Sequence, residues 1–179
     1  IFLLLSFTTT KTNKDLDLKE EAIDIARTED IIANKIEVLQ KECNILSYNL
    51  LEINEETEKY FYNNLSDKFA EQAIGYFLYQ DNALKHWTTN DIPLPTSTTY
   101  GFFEKGLINL NNGWYICNVV VEENWHIVGL FRLKKEYSYE NDILHNEFYS
   151  EFKIHPKTTI SLDSLSNSNK VCFDLKEKK

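Results

Sequence analysis

Between Asp15 and Ile53 the chain contains neither glycine nor proline, and Ile25, Ile32, Ile36, Leu39, Cys43, Leu46, Leu50 and Ile53 mark out intervals of seven, then of four and three in alternation. That is a heptad seam, and it predicts one uninterrupted helix. The positions between carry Glu20, Glu21, Glu29, Asp30, Lys35, Glu37, Lys41 and Glu42, as a solvated helix face requires. At 1.5 Å per residue such a rod is about 55 to 60 Å long. It is longer than a small domain is wide, so part of it must protrude or find another helix. The seam residues Ile32, Ile36, Leu39, Cys43 and Leu46 are the expected contact face of a homodimer.

A second helical stretch, Glu58 to Gln72, presents Tyr60, Phe61, Leu65 and Phe69 for packing on whatever follows. The texture then changes to short apolar runs of the kind strands need. Ala73 to Tyr79 and Ala83 to Trp87 flank Gln80-Asp81-Asn82, a tight hairpin. Asn90 to Tyr100 holds Pro93 and Pro95, which prohibit helix and central strand alike, and reads as a loop crossing the domain. Lys105 to Leu110 is a third strand, Trp114 to Val121 a fourth and Trp125 to Leu133 a fifth. Asn112-Gly113 is expected to form a primed two-residue turn, and Glu122-Glu123-Asn124 to join the last pair. The fold class expected is α+β, with a long N-terminal helix laid on a five-stranded antiparallel meander. Tyr139 to Glu147 reads as a short helix or turn, Thr158 to Lys170 as a loop, and Val171 to Leu175 as an additional strand. The boundaries drawn are 1–10 for an apolar start, 11–57 for the heptad helix, 58–157 for the sheet domain and 158–179 for a tail leading to a further segment.

The 179 residues suit one domain with an appendage, and exclude two independent catalytic domains. Acidic side chains outnumber basic ones 28 to 19, and the net charge of -9 sets the wrong long-range field for a phosphate backbone, so no nucleic acid is expected as a partner. The first eight residues, IFLLLSFT, fall short of the roughly 20 needed to cross a bilayer. They read either as the end of a membrane helix or signal segment, or as an apolar strand or arm packed on the domain. Cys43, Cys117 and Cys172 are widely spaced and odd in number, and read as free thiols.

Phosphate-binding, dinucleotide-binding, zincin and nucleophile-elbow motifs are all absent from the sequence. Of the four histidines, His86 and His126 fall within strands, His145 sits three residues after Asp142 and His155 stands alone; two ligands do not make a metal site. No catalytic residue, metal or cofactor is expected. The aromatic cluster Trp87, Tyr100, Trp114, Tyr115 and Trp125 serves either a β core or a small-molecule pocket. Arg132, one of only two arginines, stands either on a solvated strand position or in a pocket where its fork holds an anion. The ligand-contacting residues expected on chemical grounds are therefore Trp87, Tyr100, Tyr115 and Arg132.

The long helix followed by ALKHWTTNDIPLP, NNGWYI, HIVGLFRLKKEYSYEN and LHNEF resembles the extracytoplasmic sensor region of membrane-bound sensor histidine kinases of Bacteroidetes type, whose modules are PAS-like or Cache-like. The likeness covers roughly Asp15 to Phe152, and W-x-x-N-x-I-P-L-P with K-x-E-Y-x-Y-E-N are its most specific stretches. It implies a non-catalytic ligand-sensing module of a two-component system. It further implies an inner-membrane receptor facing the periplasm, a membrane partner through flanking spans, a helix-mediated homodimer, and a small molecule, peptide or glycan as ligand. The phosphoacceptor histidine and ATP-binding boxes of such kinases have no counterpart in this sequence. The alternatives are a secreted or lipid-anchored interaction protein without catalysis, and a small enzyme of unrecognised type.

Overall fold

The computed structural model describes residues 4–8, 15–50, 55–99, 101–154, 158–163 and 170–175. Strand β1 (Leu4–Thr8) precedes the helix α1 (Asp15–Leu50), whose 36 residues extend about 54 Å. The heptad seam thus forms a single helix, as its spacing predicts. Two short helices follow, α2 (Glu55–Leu65) and α3 (Lys68–Gln72). The sequence suggests one helix here, but the chain turns at Ser66–Asp67 and stops at Ala73 in the left-handed region, φ 57°. That turn sends Phe69 to the opposite face of the sheet from Phe61 and Leu65.

The main sheet comprises β2 (Ile74–Gln80), β3 (Ala83–Trp87), β4 (Gly106–Leu110), β5 (Gly113–Glu122), β6 (Trp125–Lys135) and the two-residue β7 (Glu147–Phe148). All its pairings are antiparallel, and the order is β3-β2-β6-β5-β4, with β7 continuing beside β6 where β2 ends. The α+β class stands, but the sheet is not a meander. β2 and β6, the first and last of the five long strands, lie side by side at the centre. Side-chain burial explains the order: every residue from Ile74 to Tyr79 is buried and β6 is buried along most of its length, whereas β3 and β4 are half-exposed. Strands apolar on both faces belong inside a sheet, and mixed ones at its edges.

The segment between β3 and β4 must therefore travel from one edge to the other, and its prolines keep it from pairing as a strand. It crosses the face opposite α1, burying Ile92 and Phe103 against Phe77, Tyr79, Tyr115, Val128 and Leu130. The Tyr79 hydroxyl donates to the Pro95 carbonyl at 2.8 Å, and Leu84 N–H to the Thr96 carbonyl at 2.8 Å. The hairpin at Asp81–Asn82 has both residues at positive φ, 51° and 65°, as a primed turn demands. The next turn falls one residue earlier than its sequence suggests. Leu110 pairs with Gly113, so Asn111–Asn112 form the turn and Gly113 opens β5. A β-carbon on Gly113 would lie 2.1 Å from the Lys134 carbonyl oxygen, which accounts for the glycine.

On the other face, α1 lies over β5 and β6. Ile32, Leu39, Cys43 and Leu46 are buried at 1% exposure or less among Ile74, Tyr76, Leu78, Ile116, Ile127, Phe131 and Leu133, with Ile36 partly buried beside them. The seam expected to bind a second copy is thus occupied by this chain's own sheet. An antiparallel sheet with an apolar face has the same need for a partner as a heptad stripe, and the two satisfy each other within one chain. The helix packs tightly on Gly129 of β6, where a β-carbon would stand 2.9 Å from both Cys43 Sγ and Leu39 Cδ2.

A smaller sheet, ordered β1-β9-β8, is made from β8 (Thr158–Asp163), β9 (Lys170–Leu175) and β1, the last running parallel to β9. Thr158–Asp163 is accordingly a strand rather than a loop, and Leu4–Thr8 is a strand of the kind the packed-arm alternative describes. Ile160 of β8 joins the core on the α1 side. No helix among the described residues is long and apolar enough to cross a membrane.

Candidate functional site

Alternation in β5 directs Ile116, Asn118 and Val120 toward α1, so a polar residue stands in an inward phase that is otherwise apolar. Asn118 is 4% exposed, and its Nδ2 makes no well-formed hydrogen bond among the described residues, the Cys43 sulfur beside it being only a weak acceptor. The register places Gly129 beside it on β6, and Tyr76 beside Gly129 on β2. Tyr76 is fully buried and its hydroxyl also lacks a partner. A polar row, Tyr76–Gly129–Asn118, therefore crosses three central strands directly beneath Cys43 of α1. Burial pushes the Cys43 thiol up to about 12, with the neighbouring Asn118 amide offsetting part of the rise. Burial likewise raises the Tyr76 phenol well above its ordinary range. Both groups are neutral and unreactive as nucleophiles at physiological pH.

Unpartnered buried donors cost about 1 to 3 kcal/mol each, so such a row weakens the core unless something engages it. At the Asn118 end it opens into a cleft of about 200 Å3 between α1 and the β4–β5 edge, lined by Ile36, Leu39, Gln40, Lys105, Ile116 and Asn118 among others. Lys105 is the one charged residue lining it, and forms no ion pair among the described residues. The cleft thus combines aliphatic walls, the buried Asn118 amide, the Gln40 amide and one cation without an ion-pair partner among the described residues.

A second cavity, about 250 Å3, lies between α3 and the β6–β7 edge, and Arg132 lines it. Its charges are largely answered from within. Lys135 Nζ meets Glu147 Oε1 at 2.7 Å, and that hydrogen bond, first among the causes, holds the Glu147 carboxyl below its ordinary range. The Arg132 guanidinium is stacked on the Phe69 ring at 4.8 Å. This cavity is a salt-linked surface groove, and it presents no buried unpartnered polar atom.

The aromatic residues expected to share a pocket are dispersed. Trp87 is 43% exposed near the end of the edge strand β3, with its indole N–H donating to Asn90 Oδ1 at 2.8 Å, and it lines neither cavity. Tyr115 is completely buried on the face opposite α1. Its hydroxyl donates to Asn112 Oδ1 at 2.8 Å, and the Asn112 amide donates to the Asp91 carbonyl at 2.6 Å, so it ties the crossing segment to the β4–β5 turn. Burial, opposed by the Arg132 charge, pushes the Tyr115 phenol up to about 12. Tyr115 is a core residue. Trp114 donates its indole N–H to Glu136 Oε2 at 2.6 Å, and Trp125 is buried on the α1 side. Tyr100 lies outside the described residues. Of the three expected ligand contacts among the described residues, Trp87 and Tyr115 line neither of these cavities and Arg132 lines the salt-linked one.

His145 Nε2 meets the backbone carbonyl of Asp142, 3.2 Å away, in an exposed turn, so the pair's carboxylate and imidazole are not assembled as ligands. Among the described residues no group of three histidine, cysteine or carboxylate side chains is placed to hold a metal. Asn118, Tyr76 and Lys105 escaped the sequence reading. The signal for Asn118 is present in ICNVVV, where it breaks an apolar phase, but only the register reveals Tyr76 in the same row, and only the cleft brings Lys105 to it.

Comparison with known proteins gives no match: no family model fits the chain, and neither a curated protein nor a solved structure matches it.

Proposed function

We propose that this chain is a non-catalytic ligand-sensing module in which a small molecule, held between α1 and the sheet, alters how α1 is seated. The observation that carries the reading is the buried Asn118 amide, which has no partner better than the Cys43 sulfur, lining a cleft whose opposite wall is the long helix itself. A ligand there touches Ile36 and Leu39, so its binding energy depends directly on the position of α1. The placement suits a receptor that passes a signal along a helix. We assign it the role that the sequence resemblance suggests: the PAS-like or Cache-like extracytoplasmic domain of a two-component sensor kinase, facing the periplasm. A helix of about 54 Å against an antiparallel sheet supports this reading, as a strut long enough to extend past its own domain. Pairing with a second copy through α1 must use faces other than Leu39, Cys43 and Leu46, which are committed to the sheet.

Two measurements test the proposal. In the gene, a membrane span and a phosphoacceptor-histidine kinase core are expected downstream of Lys179; a coding sequence that closes without them refutes the receptor. In the protein, a ligand found by thermal-shift screening and supplied at a hundredfold excess over its Kd stabilises the fold by about 2.7 kcal/mol. It also slows hydrogen exchange of the Ile36 to Leu46 amides. A ligand that stabilises the chain without altering exchange in that stretch refutes the coupling to α1.

A further inference from the structure

Gly106 pairs with Cys117, whose side chain joins the core on the face away from α1. Lys105 stands in a bend just before β4, where Gly106 turns at φ 132°, and it lines the cleft together with Asn118. Both line one cleft of about 200 Å3, so the two side chains can reach a single group. The ammonium offers three donors and no acceptor, and the amide nitrogen offers two donors. No acidic residue lines the cleft, in a chain whose carboxylates outnumber its cations. Of the other walls, Ile36, Leu39 and Ile116 are aliphatic, and Gln40 of α1 adds a second, neutral amide. The volume of about 200 Å3 exceeds the roughly 150 Å3 that accepts a benzene ring and falls below the usual range for drug-sized ligands.

From this arrangement we infer that the cleft takes a small organic monoanion: an oxyanion group, in the simplest case a carboxylate, bridges Lys105 and Asn118, and a short aliphatic body lies against Ile36, Leu39 and Ile116. The inference rests on the cleft being the ligand site. The inner donor is fixed by burial and the outer cation is free to follow the ligand, so the charge selects at the mouth and the amide orients within.

The test is chemical-shift mapping on the isotope-labelled chain at constant ionic strength, with acetate, butyrate and hexanoate set against the neutral butyramide and hexanamide. Expected are saturable shifts centred on Gln40, Gly106, Ile116 and Asn118 for at least one of the longer acids, with the matching amide at least tenfold weaker. Lys105→Gln, at an exposed position that the fold does not depend on, abolishes the preference for acid over amide. Equal binding of acid and amide in the cleft, or an unchanged preference in Lys105→Gln, overturns the anion while leaving the cleft as the site. Shifts that map elsewhere, or no shift in the cleft with any of the five probes, overturn both.

Discussion

Replacing Gly129 by alanine tests whether α1 is seated where the polar row requires. The added methyl would stand 2.9 Å from Cys43 Sγ, 2.9 Å from Leu39 Cδ2 and 3.3 Å from Tyr76 Cε1. All three neighbours are 0% exposed, so none can swing into solvent, and the helix must lift instead. Overpacking of this kind costs about 1 to 3 kcal/mol, and the stiffer unfolded chain returns about 0.4 to 1. The net loss is about 1 to 2 kcal/mol, which for a chain of this length lowers Tm by about 2 to 8 °C. Urea denaturation should show a lower midpoint with an unchanged slope. Adding Cys43→Ala removes the sulfur that the methyl strikes, so the double variant should recover about 0.5 kcal/mol or more relative to the sum of the single effects. A Gly129→Ala protein as stable as the parent, or strict additivity with Cys43→Ala, would refute the close approach of helix and strand.

Leu39→Asp separates a dimer seam from a core. Leu39 is 0% exposed against its own sheet, so an unpaired carboxylate there should cost more than about 4 kcal/mol and abolish the cooperative thermal transition. A variant that keeps its circular dichroism and merely sediments as a smaller species would show the seam to be intermolecular. Alkaline pH should destabilise the fold. Cys43, Cys117, Tyr60 and Tyr115 are each pushed up to about 12, with burial the largest cause, and Tyr76, Tyr79 and Tyr149 are raised further. These acids remain protonated in the folded chain while the unfolded chain releases its protons from about pH 8 upward. The stability they hold is therefore complete below about pH 8 and is lost as pH rises toward 12, the cysteines' share first. The urea midpoint should fall between pH 8.5 and 11, with phenolate absorbance rising in step with unfolding; a midpoint flat across that range refutes the burial of these groups.

The features legible in the sequence are those set by local periodicity. The α1 stripe, the apolar runs of β2, β5 and β6 and the Asp81–Asn82 turn each declare themselves within a dozen residues. Strand order is not local. Consecutive strands default to neighbours, and only the contrast between the doubly apolar Ile74–Tyr79 and Trp125–Leu133 and the mixed ALKHW and GLINL indicates which pair belongs at the centre. Counting chemistry-bearing residues favoured Trp87, Tyr115 and Arg132 because their side chains are distinctive. Their use is decided by the face they occupy and by what meets them there. Tyr115 is spent on Asn112 and Arg132 on Phe69. Asn118 is an ordinary residue in composition, and it acquires significance only because the sheet seals its amide beneath a helix that offers it nothing better than the Cys43 sulfur.

What the cleft can deliver follows from its size. A ligand shifts α1 only through contacts that differ between two helix positions. Hydrogen bonds to Lys105 and Asn118 belong to the sheet side and persist wherever the helix sits. The differential part comes from Ile36 and Leu39, against which an aliphatic body of three or four methylenes gains about 0.8 kcal/mol per group buried. That amounts to about 2 to 3 kcal/mol, a population shift of roughly 30- to 150-fold. Moving an equilibrium from 1:99 to 99:1 needs about 5.5 kcal/mol. One occupied cleft falls short of that by about half, and two clefts acting on helices that move together reach it. On the proposed reading, the module would work as a graded sensor when single and become switch-like only with its helix mechanically joined to that of a second copy.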